Sequence, residues 1–265
     1  MSSKKAKKTK KINKTEKNKI KHLPEIILVV SALFLGMLIV ILVWKSKTTQ
    51  VIEPERVLQG SFPNPAELVE EDKLTYFAYM DIPEMIFKKM DGVTFNEDCP
   101  VTREELCYMK VLYWGTDKEA HQGELIVNKA IAPDLVEIFY RLYKASYPIG
   151  KISLVENYGG NDEVSMSNNN TSGFNGRKVA GSESWSMHAY GLAIDLNPLY
   201  NPYVGADGTI LPISGEAYAN REDSFLYKID ENDYAYKLFT EHGFTWGGSW
   251  SNNKDYQHFE KNIEE

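Results

Sequence analysis

Apolar and polar positions divide this chain into three stretches. Ile26 to Trp44 is apolar all round, 19 residues without a charge, and as a helix it would span about 28 Å, roughly one hydrocarbon core. Lysines crowd its N-terminal flank, which predicts a single transmembrane helix with residues 1–25 as a cytoplasmic tail and everything after it facing outward. The run exceeds the core of a cleavable signal peptide, and no small-x-small cleavage pattern follows Trp44. From Lys45 to about Leu74 the chain is polar, with isolated prolines and a Glu-rich end, the pattern of a stalk or linker over 45–74. Apolar density then rises, placing an extracytoplasmic domain at 75–265.

Within that domain the periodicity is uneven. Residues 76–119 mix apolar and polar positions without a clear period. Pro133 suits a first helical turn, and Leu135, Val136, Ile138, Phe139, Leu142 and Tyr143 follow at helical spacing until Pro148 and Gly150. Lys151–Val155 predicts a short strand, and Asn157–Gly181, rich in Gly, Asn and Ser, an ordered loop or lid. Leu192–Leu196 is strand-like and stopped by Asn197-Pro198. Asp230 can cap a second helix that runs to about His242 before Gly243, and Phe244–Trp246 predicts a further strand. Short strands interrupted by helices, without βαβ alternation, predict an α+β domain built on a small antiparallel sheet flanked by helices.

Charge sharpens the partition. Residues 1–25 hold ten Lys and two Glu, or +8. The remainder holds 20 Lys and Arg against 35 Asp and Glu, or −15, which together make the net −7. An acidic body argues against a nucleic-acid or anionic-lipid binder, and the basic tail reads as a topology signal. Sixteen tyrosines and five tryptophans suit a groove for a polar polymer and suit plain packing equally. The two cysteines, Cys99 and Cys107, are spaced C-x7-C, which is not a redox or zinc-knuckle motif. In an exported domain they admit a local disulfide or two free buried thiols. Two thiols cannot complete a zinc site, so any metal must use His and carboxylate.

The sequence offers that set. Ser186-Met-His188 leads through Gly191 to Asp195, and Asp255-Tyr-Gln-His258-Phe-Glu260 follows near the C-terminus. Two imidazoles and one carboxylate are the protein ligands of a catalytic zinc site that keeps a position for water. If Gly191–Leu196 is extended, Asp195 shares a face with Ala193, and His188 folds back from a preceding turn. Asp255 is a spare carboxylate three residues before His258, placed to move the water's proton. Arg177 offers a cation for a developing oxyanion or a substrate carboxylate. The competing readings are a surface His, turn aspartates and a solvated loop arginine.

Several segments in order carry a family resemblance: Asn169-Asn-Thr-Ser-Gly-Phe-Asn-Gly-Arg177, Ser186–Pro198, Asn201-Pro-Tyr203, Trp246-Gly-Gly and Asp255–Glu260, with His121–Asn128 similar to the start of the family domain. Over about 110–265 the chain resembles the zinc D-alanyl-D-alanine carboxypeptidases of the VanY type, part of a wider group with lysostaphin-like enzymes and the hedgehog fold. The resemblance implies zinc on His188, Asp195 and His258, Asp255 as general base and acid, and Arg177 polarising the scissile carbonyl. It also implies Ser186 lining the site and Trp246 walling the cleft. Gly176 departs from close relatives, which carry a cysteine before the arginine. His121 is given no ligand role, and His242 is read as a helix C-terminal residue.

The expectation is a membrane-anchored zinc peptidase acting on peptidoglycan peptide stems, of carboxypeptidase type. The alternatives are an L-Ala-D-Glu or cross-bridge endopeptidase and a non-catalytic zinc-stabilised wall-binding module. Peptidoglycan stems and the membrane are the expected partners; nucleic acid is not. Oligomeric state is open at this level.

Overall fold

A computed structural model describes residues 62–263. The expected transmembrane segment 26–44, the tail before it and most of the stalk lie outside the described residues. Among the described residues no helix is long and apolar enough to cross a membrane.

The frame is a long hairpin. Strand β1 (Ala78–Met80) and helix α1 (Glu84–Met90) precede β2 (Leu106–Gly115) and β3 (Ala120–Asn128). β2 pairs antiparallel with both β1 and β3, in register from Leu106↔Asn128 to Trp114↔Ala120. Nearly every β2 residue is buried, because both faces of the hairpin are covered. One face carries α2 (Ala132–Lys144), whose Leu135, Ile138, Phe139, Leu142 and Tyr143 enter the larger core. The other face carries Ile86 and Met90 of α1 with Leu154 and Phe174. Double burial removes the in–out alternation that betrays a strand, which explains why 76–119 shows no period.

Short elements follow. β4 (Pro148–Ile149) pairs parallel with the end of β2, and β5 (Lys151–Ile152) pairs parallel with β6 (Asn170–Thr171). The sheets are therefore small but not purely antiparallel, and the strand expected over 151–155 stops at Ile152. Between β5 and β6, helix α3 (Asp162–Ser167) is capped by the Asn161 side chain. The Gly/Asn/Ser-rich loop is thus ordered, and its Asn169, Asn170, Thr171, Ser172 and Asn175 are buried.

Two three-stranded antiparallel sheets complete the domain. One has the order β10 (Thr245–Trp246), β12 (His258–Glu260), β7 (Ala193–Asp195). The other has the order β11 (Lys254–Asp255), β8 (Tyr203–Val204), β9 (Ile210–Leu211). Helix α4 (Tyr234–Glu241) lies between β9 and β10 in the chain. Its cap is Asp233, which accepts from the N–H groups of Ala235 and Tyr236, three residues later than the Asp230 expected. Asp230 instead accepts from the Asn232 N–H in the preceding turn.

Packing starts earlier than the stalk boundary suggested. Leu68 is buried, Phe62 packs on the core, and the Tyr143 hydroxyl donates to the Pro63 carbonyl. Two isolated apolar residues in a polar stretch are enough to seat residues 62–68. Cys99 and Cys107 are free, the latter in the core of β2.

Candidate active site

The antiparallel register of β7 and β12 sets His258 directly opposite Asp195, so the two side chains share a face. His188 arrives from the 3-10 turn Met187–Tyr190. That turn is pinned on both sides: the Ser186 hydroxyl accepts from the His188 N–H, and Gly191 closes it at φ +68°. The Gly191 carbonyl accepts from the Asn128 N–H at the end of β3, and a Cβ on Gly191 would stand 2.7 Å from that nitrogen. Only glycine meets both the left-handed backbone and the close approach.

The result is a triangle. His188 Nε2 lies 3.2 Å from Asp195 Oδ1, His258 Nδ1 lies 3.1 Å from the same oxygen, and the two ring nitrogens are 3.2 Å apart. All three residues are buried. The far ring nitrogens are committed. His188 Nδ1 donates to the Gly173 carbonyl at 2.6 Å, and His258 Nε2 to the Glu260 carboxylate at 3.0 Å. Lone pairs on His188 Nε2 and His258 Nδ1 are thereby aimed at each other and at Asp195. A tetrahedral zinc held at about 2.0–2.1 Å separates its ligands by roughly 3.3–3.4 Å, so the triangle fits such an ion closely. The outer partners, Gly173 and Glu260, fix tautomer and ring orientation as in zinc centres.

Burial opposes ionisation of Asp195, but the charges and hydrogen bonds of His188 and His258 outweigh it and hold the carboxyl well below the usual carboxylate range. Burial likewise opposes a charged His258, yet its bonds to Asp195 and Glu260 push it up to about 10 in the metal-free chain. Asp255 moves the other way. Burial and then the nearby Asp195 charge raise it to about 7. Its Oδ1 is buried with no hydrogen-bond partner among the described residues. Gly247 makes room for it, since a Cβ there would meet the Asp255 backbone oxygen at 2.6 Å and the His258 Cβ at 3.3 Å.

Residues 180–261 match the family model described as D-alanyl-D-alanine carboxypeptidase. The similarity to that family lies in this segment, less than a third of the chain. The match marks a metallopeptidase of D-alanyl-D-alanine carboxypeptidase type, a family that is metal-dependent, generally on zinc, and the His188, Asp195, His258 group fits a metal. Comparison with curated proteins and with solved structures finds no match.

The remaining residues fall as follows. Ser186 is buried and acts on the backbone of the His188 turn. Arg177 lies just outside the matched segment; its Nε faces Asp162, whose other oxygen accepts from Asn175 Nδ2 at 2.7 Å. The Arg177 carbonyl accepts from the Ser186 N–H, which ties its loop to the turn that bears His188. The neighbouring Gly176 has Cys99 Sγ where its side chain would go, 2.4 Å from an added Cβ.

Trp246 is 7 % exposed, packs against Tyr236 and Tyr256, and donates its indole N–H to the Tyr256 carbonyl. The indole that lies against the site is that of Trp250, 5.4 Å from the His258 ring. Among the described residues the other histidines are elsewhere: His121 stacks on Tyr113 and pairs with Asp117, and His242 ends α4 against Asp134.

Glu260 and Trp250 are functional candidates that sequence reasoning did not single out. Alternation along β12 puts residue 260 on the face of residue 258, a signal present once the strand is known. Nothing in the sequence separates Trp250 from Trp246.

Proposed function

We propose that this chain is a membrane-anchored zinc D-alanyl-D-alanine carboxypeptidase that trims peptidoglycan peptide stems. The observation that carries it is the buried triangle of His188, Asp195 and His258 beside the buried, unpartnered carboxylate oxygen of Asp255, inside the matched segment. Zinc held by the three residues would supply Lewis-acid activation of the scissile carbonyl and of the attacking water.

The chain's own groups do the rest. Asp255, whose buried Oδ1 has no hydrogen-bond partner among the described residues, is the general base. It is raised to about 7 in the metal-free chain, and a bound dication would favour its ionised form. It takes a proton as the water oxygen attacks the carbonyl carbon. When the C–N bond breaks it returns that proton to the departing amine of the terminal D-alanine. Arg177 stabilises the oxyanion, and Ser186 holds the His188 turn in place. Glu260 and the Gly173 carbonyl keep both imidazoles in the ligating tautomer. Residues 26–44 anchor the chain with residues 1–25 in the cytoplasm and 45–74 leading outward, which places the domain where peptidoglycan stems are. The family domain then begins upstream of the matched segment, near residue 110, with a hedgehog-like arrangement of sheet and helices.

The test is mass spectrometry of defined muropeptides incubated with the full-length chain, with chelator and with zinc restored. Loss of one terminal D-alanine from a pentapeptide stem, abolished by chelator, is the expected result. Cleavage inside the stem or bridge would replace this reading with the endopeptidase. No cleavage by folded, zinc-loaded protein would replace it with the wall-binding module.

A further inference from the structure

Trp246 and Trp250 are one helical turn apart in sequence and meet opposite fates. Trp246 is buried with its N–H satisfied. Trp250 is 36 % exposed, and its ring, tilted 54° to that of His258, stands 5.4 Å from it. Large apolar side chains left partly in water are informative when they sit together with reactive groups rather than scattered singly.

The Trp250 backbone is also held. Its N–H donates to the Gly247 carbonyl at 3.1 Å, and Lys254 Nζ donates to the Gly248 carbonyl at 3.1 Å. The loop that follows is tied to the β8–β9 turn, where the Ala206 N–H donates to Asn253 Oδ1 at 3.0 Å. The backbone that carries the indole is therefore pinned, and the ring stands beside His258 rather than at the tip of a loose loop. A flat, weakly polar ring in that place suits a small apolar side chain next to a peptide bond, and it makes no demand for charge.

We propose that Trp250 is a substrate-contacting specificity residue whose exposed indole face packs on the methyl-bearing C-terminal residues of the substrate peptide. This rests on the carboxypeptidase reading above. The contact is made in ground state and transition state alike, so it governs binding more than the chemical step.

The test uses the full-length chain and the tripeptide diacetyl-L-Lys-D-Ala-D-Ala. In zinc-loaded protein, Trp250→Ala is expected to raise KM about tenfold while kcat stays within about twofold. Trp250→Phe should recover most of the loss, and zinc content and melting temperature should not move. In zinc-free protein the tripeptide is expected to change the indole fluorescence of the wild type. Trp250→Phe, which keeps four of the five tryptophans, should abolish that change. An unchanged KM in an active Trp250→Ala chain overturns the proposal. So does a fluorescence response that is absent in the wild type or persists in Trp250→Phe. Failure of the wild type to release D-alanine would refute the carboxypeptidase reading instead, and the fluorescence comparison would still decide the role of Trp250.

Discussion

Three described regions place a histidine within about 3.1 Å of an aspartate, one of them the His121–Asp117 pair on the β2–β3 hairpin, and the two deeper ones serve different ends. At the end of α4, His242 Nδ1 meets Asp134 Oδ1, and Lys261 Nζ meets the other oxygen of the same carboxylate at 2.7 Å. A cation is already supplied by the chain, and that cluster is complete. At the β7–β12 pair, two imidazole nitrogens and the Asp195 oxygen converge within 3.2 Å with no lysine or arginine among them. The outer nitrogens are occupied, so the inner lone pairs require a proton or a metal. Residue type does not separate the two clusters; what suits the second to a metal is convergence of ligating atoms with no lysine or arginine, so that the charge balancing Asp195 and Glu260 is a displaceable proton on His258.

The largest test of this contrast is deletion of one histidine from each cluster. His188→Ala is expected to lose zinc and activity together, the activity by on the order of 10⁴-fold, whereas His242→Ala should keep both within about twofold. Full zinc occupancy in His188→Ala, read by elemental analysis, would remove it from the ligand set. Next comes Asp255→Asn, which should retain zinc yet lower kcat by about 10²–10⁴-fold; unchanged turnover would end its role as base.

A subtler break is Glu260→Gln, which removes the acceptor behind His258 and should weaken zinc binding by about 10–100-fold in a competition with a chelator. The pH dependence of that binding sharpens the comparison further. His258 carries its proton up to about 10 in the metal-free chain, and zinc must displace it. Apparent affinity should therefore rise with pH by up to about tenfold per unit through neutrality. A flat profile would contradict a ligand role for His258.

The smallest effects concern stability. Asp255 is raised from 3.8 to about 7, so the native state binds its proton more tightly than the unfolded state does. The metal-free protein should accordingly lose stability as pH rises from about 4 through 7, and Asp255→Asn should flatten that slope in denaturant titrations. At the complete cluster, Asp134→Asn should cost about 1 kcal/mol, as befits a partly exposed ion pair.

Local patterns made several of these parts legible. The α2 face from Leu135 to Tyr143 showed its period because one side of that helix meets solvent. The His188, Asp195, Asp255 and His258 positions showed as a compact order of metal-binding and acid–base residue types. The β2–β3 hairpin did not show, since burial on both faces erases alternation. Asp233 rather than Asp230 caps α4, because two candidate caps three residues apart are equivalent until the turn between them is built.

Sequence alone determined the chemistry on offer: two histidines, two aspartates, no thiol ligand set, and an order of motifs shared with the carboxypeptidase family. It did so because ligand chemistry and local periodicity are properties of residues and near neighbours. Tertiary structure alone decided which of these residues meet. The β7–β12 register sets His258 opposite Asp195. Gly191 brings the His188 turn against β3, and Glu260 is placed behind His258. Trp250, not Trp246, stands at the site. Each of those outcomes depends on contacts between segments tens of residues apart, which no local pattern encodes.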